Sequence, residues 1–338
     1  MNPRNYKEHF TPKRIIALVI VLGSTAAFAL LMQWFVSFYT PVGTQRVSKV
    51  SNTTSLSEKI VNPFDTVALV ARGAYVYDLK TNTVLFAKNE NEKLPLASVT
   101  KLMTALVARE SMSASAVLTL TKDDLAAEGD TGLRPGERWR LGDLLRATLI
   151  ISSNDGAHAV ASFVGANGHP ENYPDMSLTR ANFIQMMNAK AVELGLDQME
   201  FFNESGLDVS TTQNGLPEIV STAGGYGSAK NVAELIAELW SKYPDTVEVT
   251  ARKEVNISSQ DKIAHYLPNT NEIVGKIPGL IASKTGFTDL AGGNLAVIFD
   301  RGIGDAIVIV VLGSGYKERF EDVQKLVAAT ILVALSQN

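Results

Sequence analysis

Between Ile15 and Tyr39 the chain runs for 25 residues without a charged side chain, and nearly all of them are apolar. As a helix this stretch rises about 37 Å, enough to cross a bilayer core with some tilt. Arg4, Lys7, Lys13 and Arg14 precede it against Glu8 alone, so the N-terminus is expected in the cytoplasm and everything after Thr40 outside it. A cleaved leader is the alternative, because Ala27-Phe28-Ala29 offers an A-x-A site. Cleavage there leaves the apolar run Leu30 to Val36 as a new terminus, and the whole stretch is longer than a leader's apolar region, which favours an uncleaved signal anchor. Trp34, Phe35 and Tyr39 fit an interfacial aromatic belt at its outer edge. The expected layout is a cytoplasmic tail over 1–14 and a single pass through the cell membrane over 15–39. A linker over 40–65, rich in Ser, Thr, Val and Asn, then leads to an extracytoplasmic domain over 66–338.

Charge and residue usage remove several function classes. The net charge is -4, and no Lys/Arg-rich stripe runs through the sequence, so a nucleic-acid partner is not expected. With no cysteine there are no disulfides, thiolate metal sites, cysteine nucleophile or lipid-bearing cysteine. His9, His158, His169 and His265 stand apart without ligand spacing and read as surface or satisfied core residues, so neither a metal nor a cofactor is expected.

From about Thr66 the pattern becomes regular. Tyr75-Val76-Tyr77 and Val84-Leu85-Phe86 flank a polar turn at 78–82 and predict a hairpin. The middle of the chain, about 98 to 240, reads as mainly helical, with apolar three- and four-residue spacing over Leu141–Leu149 and Phe183–Leu194. Strands are predicted at Leu280–Thr288, Gly293–Phe299 and Ala306–Leu312, and a last helix from about Glu318 to Leu335. Strands at both ends with helices between them predict one sheet closed by non-local pairing, beside a helical lobe.

Three short motifs carry possible chemistry. Ser98-Val99-Thr100-Lys101 stands where Pro95 ends an extended stretch and an apolar helix begins. Residues i and i+3 share a helix face, so the Lys101 amine can approach the Ser98 hydroxyl. A serine hydroxyl needs such a base, and lysine serves when burial or a second cation lowers its pKa. The same spacing recurs at Ser259–Lys262 and Ser314–Lys317, but neither precedes a long apolar helix. Ser152-Ser153-Asn154 follows the Leu-rich helix, where a plain helix cap is the competing reading. Lys284-Thr285-Gly286 falls in a predicted strand; it is either a solvent-facing lysine beside a weakening glycine, or a strand whose glycine lets a substrate approach the backbone.

In this order the three motifs match the S-x-x-K, S-x-N and K-T-G set of β-lactamases and penicillin-binding proteins. Leu94 to Leu106, Gly132 to Glu137, Met187 to Leu196 and Ser205-Gly206-Leu207-Asp208 extend the match. Over about residues 66 to 338 the chain resembles the serine D-Ala-D-Ala carboxypeptidases, the low-molecular-mass penicillin-binding proteins. The resemblance implies an α/β plus all-α domain of the penicillin-recognising fold, with an antiparallel five-stranded sheet flanked by helices and a helical lobe. It implies that Ser98 attacks the carbonyl between two terminal D-alanines of a peptidoglycan stem, with Lys101 as base. Ser152 would relay a proton to the leaving amine, and Asn154 would bind the substrate amide and help hold Lys101. Lys284 would supply positive charge, Thr285 and Gly286 would line the substrate strand, and Thr285 would bind the terminal carboxylate. The backbone N–H groups of Ser98 and Phe287 would form the oxyanion hole, and β-lactams would acylate Ser98. Two departures stand out: Ser153 replaces the usual Gly, and Lys230-Asn231 replaces an Arg-Asp pair. Lys230 is therefore either a carboxylate binder without the arginine fork or a solvated lysine at a helix start. A D,D-endopeptidase is the nearest rival reading. A β-lactamase would need a glutamate such as Glu193, which here ends a helical pattern and reads as surface. A penicillin sensor would need an output module, and 14 residues precede the apolar run.

Overall fold

The computed structural model describes residues 62–129, 131–173, 175–212, 219–302 and 304–336. The expected tail, membrane span and nearly all of the linker lie outside the described residues. Among the described residues no helix is long and apolar enough to cross a membrane. The described residues start slightly before the expected boundary at Thr66. A 3-10 turn over Pro63–Thr66 is capped by Asn62, and Phe64 is buried with its ring stacked 5.4 Å from that of Phe86.

One antiparallel sheet organises the chain. Its strands are β1 (Gly73–Asp78), β2 (Thr83–Lys88), β3 (Leu280–Thr288), β4 (Gly292–Asp300) and β5 (Ala306–Ser314), in the spatial order β3-β4-β5-β1-β2. The predicted hairpin and the three C-terminal strands are therefore neighbours, joined by the pairing of β1 with β5 across most of the sequence. Side chains alternate between the two faces of a strand. Val308, Val310 and Leu312 join the core of the helical lobe, while Ile307, Ile309 and Val311 join a second core on the other face. That second core is closed by Phe320, Val323 and Leu326 of the last helix. Burial on both faces explains the unbroken apolar run of β5.

The helical lobe contains α1 (Lys101–Ser111), α2 (Leu141–Ile150), α3 (Asn154–Gly165), α4 (Met176–Glu193) and α5 (Ala229–Lys242); α6 (Glu318–Ser336) covers the opposite face of the sheet. α1 is buried along every residue from Lys101 to Ala108, so it runs through the core with no solvent side. α4 starts earlier than the predicted Phe183, capped by Asp175 at Ser177 N. Its first two turns carry mostly polar residues and so lack the apolar spacing that announces a helix.

The middle of the chain holds more strand than its pattern announces. Val117–Thr119 pairs with Arg138–Arg140, Gly225–Gly227 lies between Leu94–Pro95 and Glu200–Phe201, and Val209–Thr212 pairs with Ile219–Thr222. These segments are two to four residues long, too short for an alternating pattern to show.

Candidate active site

Ser98 sits in a 3-10 turn over Ala97–Thr100 that runs directly into α1. The turn is entered through Ala97 at φ 47°, a left-handed conformation that a non-glycine residue holds only when its surroundings impose it. Asn294 of β4 supplies part of that constraint. Its Nδ2 donates to Pro95 O at 2.9 Å and its Oδ1 accepts from Gly313 N at 2.8 Å, which fastens the turn to the sheet.

Lys101 follows at the first position of α1 and is fully buried. Burial disfavours the ammonium and lowers its pKa to about 7, with the negative charge of Glu204 opposing the shift. Its Nζ lies 2.9 Å from Ser98 Oγ, 2.7 Å from Asn154 Oδ1 and 2.8 Å from Ser205 O. The Asn154 oxygen and the Ser205 carbonyl can only accept. A neutral amine satisfies both with its two N–H bonds and leaves its lone pair toward the Ser98 hydroxyl. The contacts thus fit the basic form of lysine beside the nucleophile. Asn154 is fixed in that orientation because its Nδ2 donates to Glu128 O at 2.6 Å.

The capping and catalytic readings of Ser152-Ser153-Asn154 divide between its residues. Ser153 is the cap of α3, with its Oγ accepting from Gly156 N at 2.9 Å. Ser152, left-handed at φ 59°, instead points to the cleft and accepts from Lys284 Nζ at 2.8 Å. Asn154 opens α3 and reaches Lys101.

Lys284 is buried in β3 rather than solvent-facing, and its Nζ also donates to Thr285 O at 2.7 Å. Burial, with the nearby cations Lys101 and Arg319, holds its pKa well below the usual lysine value. Gly286 carries a different meaning from the one expected. A Cβ there would stand 2.8 Å from Leu96 O and 3.2 Å from Ser98 N. The close approach that the glycine permits is thus made by the nucleophile's own backbone, and it brings β3 alongside the Ser98 turn.

A cleft of about 340 Å³ opens over these groups, lined among others by Ser98, Ser152, Thr270, Thr285, Phe287 and Arg319. Thr285 Oγ1 lies 2.6 Å from Thr270 Oγ1. A larger hollow of about 600 Å³, lined by residues such as Arg146, Glu248, Val255 and Ile281, contains no nucleophile–base pair.

Lys230 is not among the cleft residues. It lies at the start of α5 with its backbone N–H donating to Glu90 O, and its half-exposed ammonium stands 3.9 Å from Glu234 Oε1. Its position at a helix start beside solvent is that of the solvated-lysine reading.

The cation at the cleft is Arg319, which the motifs do not single out. It is 4% exposed, its Nη1 donates to Gly286 O at 2.9 Å, and its Nε has no partner. Its guanidinium lies 4.6 Å from the Tyr316 ring centroid, which in turn meets Phe287 edge-on at 4.9 Å. Its place on the same face as Phe320 and Val323, at the start of a helix whose first turns are otherwise rich in charged residues, is the sequence signal that marks it.

Glu193, the residue a β-lactamase reading would need, is exposed at the end of α4 and pairs with Lys190. His158 and His265 contact the buried carboxylates Glu204 and Glu137.

Comparison with known proteins places this geometry. Residues 59–315 match the family described as D-alanyl-D-alanine carboxypeptidase. The chain is 30% identical over 262 residues to D-alanyl-D-alanine carboxypeptidase DacF of Bacillus subtilis, covering 76% of this chain and 61% of that protein. It is 29% identical to a D-alanyl-D-alanine endopeptidase of Haemophilus influenzae, covering 74% of this chain and 79% of the relative. The ampicillin-bound structure of penicillin-binding protein D2 from Listeria monocytogenes superposes with a TM-score of 0.61 at 29% identity, over 77% of this chain and 97% of that one. The fold, the order of its motifs and these matches agree: the chain belongs to the D-alanyl-D-alanine carboxypeptidase family.

Proposed function

We propose that this protein is a serine D-Ala-D-Ala carboxypeptidase that trims peptidoglycan stem peptides outside the cell. The observation that carries the reading is the set of contacts at Lys101, which hold a depressed-pKa amine against the Ser98 hydroxyl. Ser98 Oγ bonds to the carbonyl carbon of the penultimate D-alanine while its proton passes to Lys101 Nζ. The tetrahedral oxyanion lies against the backbone N–H groups of Ser98 and Phe287. Collapse breaks the C–N bond, and the leaving amine takes the proton that Lys101 received from Ser98, relayed through Ser152, which Lys284 orients. Water then adds to the acyl-enzyme, giving its proton to Lys101, which passes it to Ser98 Oγ as the C–Oγ bond breaks. The terminal carboxylate is met by Arg319, the cation lining the cleft with Ser98, and by Thr285, a hydroxyl of the strand beside the Ser98 turn. β-Lactams, whose ring amide occupies the same place, acylate Ser98. The apolar run 15–39 anchors the chain in the cell membrane with the catalytic domain outside.

The test is release of free D-alanine from a stem pentapeptide ending in D-Ala-D-Ala, with Ser98→Ala as control. Release by the parent alone supports the reading, and the rate is expected to rise with pH through about 7 as Lys101 loses its proton. No release by either protein sinks it. The similarity to an endopeptidase favours D,D-endopeptidase action on cross-linked peptides as the second reading, and cleavage of cross-linked dimers without D-alanine release would select it.

Arg319→Ala is expected to raise KM for the pentapeptide roughly 10- to 100-fold, the range for a lost hydrogen bond to a charged group. Lys230→Ala is expected to leave KM unchanged. Steady-state kinetics on both variants check the assignment, and the reverse pattern would restore Lys230 as the carboxylate binder.

A further inference from the structure

The hydroxyl of Thr270 stands 2.6 Å from that of Thr285, and both residues line the cleft with Ser98. The proposed reaction uses Thr285 and leaves Thr270 without a part. Thr270 lies in the connection between the strand Ala264–Pro268 and β3, and hydrogen bonds fix its backbone from several directions. Its N–H donates to Ile150 O at 3.1 Å, at the end of α2 just before Ser152. The neighbouring Asn269 donates from Nδ2 to Thr250 O at 2.7 Å and to Arg252 O at 2.8 Å, and its Oδ1 accepts from Asn271 N at 2.8 Å. Thr250 is in turn tied to β3. Its Oγ1 accepts from Ser283 N at 2.8 Å and its carbonyl from Ser283 Oγ at 3.0 Å. The backbone that carries Thr270 is thus held both to the segment of Ser152 and to the strand of Thr285, which keeps the two hydroxyls together.

A hydroxyl has one proton to donate, whereas a carboxylate can only accept. The bond between Thr270 and Thr285 can run in either direction while the cleft is empty of substrate. If Thr285 donates to Thr270, it meets a carboxylate with lone pairs, and the two repel. If Thr270 donates to Thr285, the Thr285 proton is left for the carboxylate, and the incoming bond polarises it toward that acceptor. Thr285 is buried and Thr270 half-buried, so bulk water does not readily replace either hydroxyl.

We propose that Thr270 is a positioning residue for the substrate's terminal carboxylate: its hydroxyl donates to Thr285 and so turns the Thr285 proton toward that group. The inference rests on the reading that Arg319 and Thr285 meet the carboxylate. It makes Thr270 a determinant of specificity for ligands that end in a free acid. An uncharged ester in the same place accepts a weaker bond and depends less on the direction of the pair.

The experiment compares Ser98 acylation rates for a fluorescent penicillin and for its carboxyl methyl ester, on the full chain, with thermal melts of every variant. Thr270→Val keeps the branched shape without the hydroxyl and is expected to slow acylation by the free acid about 3- to 10-fold, the range for one neutral hydrogen bond. Acylation by the ester is expected to change by about twofold or less, since no charge rewards the oriented proton. Thr270→Ala should show the same selectivity, and Thr270→Ser, which retains the hydroxyl, should restore the rate with the free acid. In a Thr285→Val background no hydroxyl remains to be turned, so Thr270→Val is expected to cost nothing further. Equal losses for acid and ester, no loss for either, or a loss that persists beside Thr285→Val overturns the proposal, because Thr270 then acts on the cleft as a whole or not at all. Arg319→Ala tests the underlying reading separately. If it slows the free acid selectively while Thr270→Val does not, the carboxylate reading stands and this inference fails. If it slows acid and ester alike, the carboxylate reading fails and takes this inference with it.

Discussion

Lys101→Met is expected to lower the rate of Ser98 acylation by about 10³-fold, within the 10²–10⁴ range for loss of a positioned acid–base group. Methionine nearly matches the stem of lysine in volume, so the core around α1 is not opened. The substitution leaves Asn154 Oδ1 and Ser205 O without the amine they accept from. Each orphaned acceptor costs about 1–3 kcal/mol, but the desolvation of a buried cation is relieved at the same time, so the chain is expected to fold. Ser98 then remains in its turn as an unassisted hydroxyl, a weak nucleophile at neutral pH. Lys101→Arg separates base from charge. A guanidinium stays protonated and cannot take the hydroxyl proton. If Lys101 acts as the base, the arginine variant is as slow as the methionine one. If it acts only as a positive charge, arginine restores much of the rate, and the role assigned to the lone pair is wrong. Penicillin acylation beside thermal melts of both variants distinguishes loss of chemistry from loss of fold.

How far the site is legible in the sequence differs from residue to residue, for physical reasons. The Ser98–Lys101 pair is legible because helical spacing and an apolar context are local properties. The contacts at Lys101 then depend on carbonyls and amides 53 and 104 positions away, which no local pattern announces. Ser153 shows that a capping signal and a catalytic motif can overlap: the cap is real, and the residues on either side of it are free to face the cleft. Gly286 stands out as a place of close approach, but only the packing of β3 against the Ser98 turn shows what approaches. Arg319 escapes notice because a charged residue at a helix start normally reads as solvated, whereas the sheet and the aromatic rings of Tyr316 and Phe320 enclose it. Lys230 is the opposite case, a motif position that lies at the start of α5 beside Glu234 and outside the cleft lining. The long strands are found by their apolar runs between turn residues, and the last helix by its spacing. The strands of two to four residues in the helical lobe are not, because a period needs more residues than they have.

Gly206→Ala is expected to cost at least ~3 kcal/mol of stability and to reduce acylation about 10²-fold in whatever protein still folds. Gly206 holds φ at +81°, where an L side chain is strained by ~1 kcal/mol or more. Most of the cost comes from a collision. A Cβ would lie 1.9 Å from Ala97 O, 2.5 Å from Ala97 C and 2.7 Å from Thr100 Oγ1. Two of these atoms are backbone, so no rotamer change relieves the overlap, and one of the two segments must move. Either movement damages the site. Displacing Ala97 shifts the residue before the nucleophile, which already sits at positive φ. Displacing Gly206 shifts the neighbouring Ser205 carbonyl, which holds Lys101. Gly195 provides the comparison, since it has a similar φ of +68° and nothing within 4 Å of its missing Cβ. Gly195→Ala is expected to lose about 1 kcal/mol and to keep the parent's acylation rate, because it bears the conformational strain without the collision. Denaturant melts and acylation rates for the two variants separate strain from collision. Equal losses in both would mean that positive φ alone sets the cost, and that the Ser98 turn and the Lys101 carbonyl are not wedged together through Gly206. A selective loss at Gly206 would show that nucleophile and base are held in register by a backbone contact, with no side chain between them.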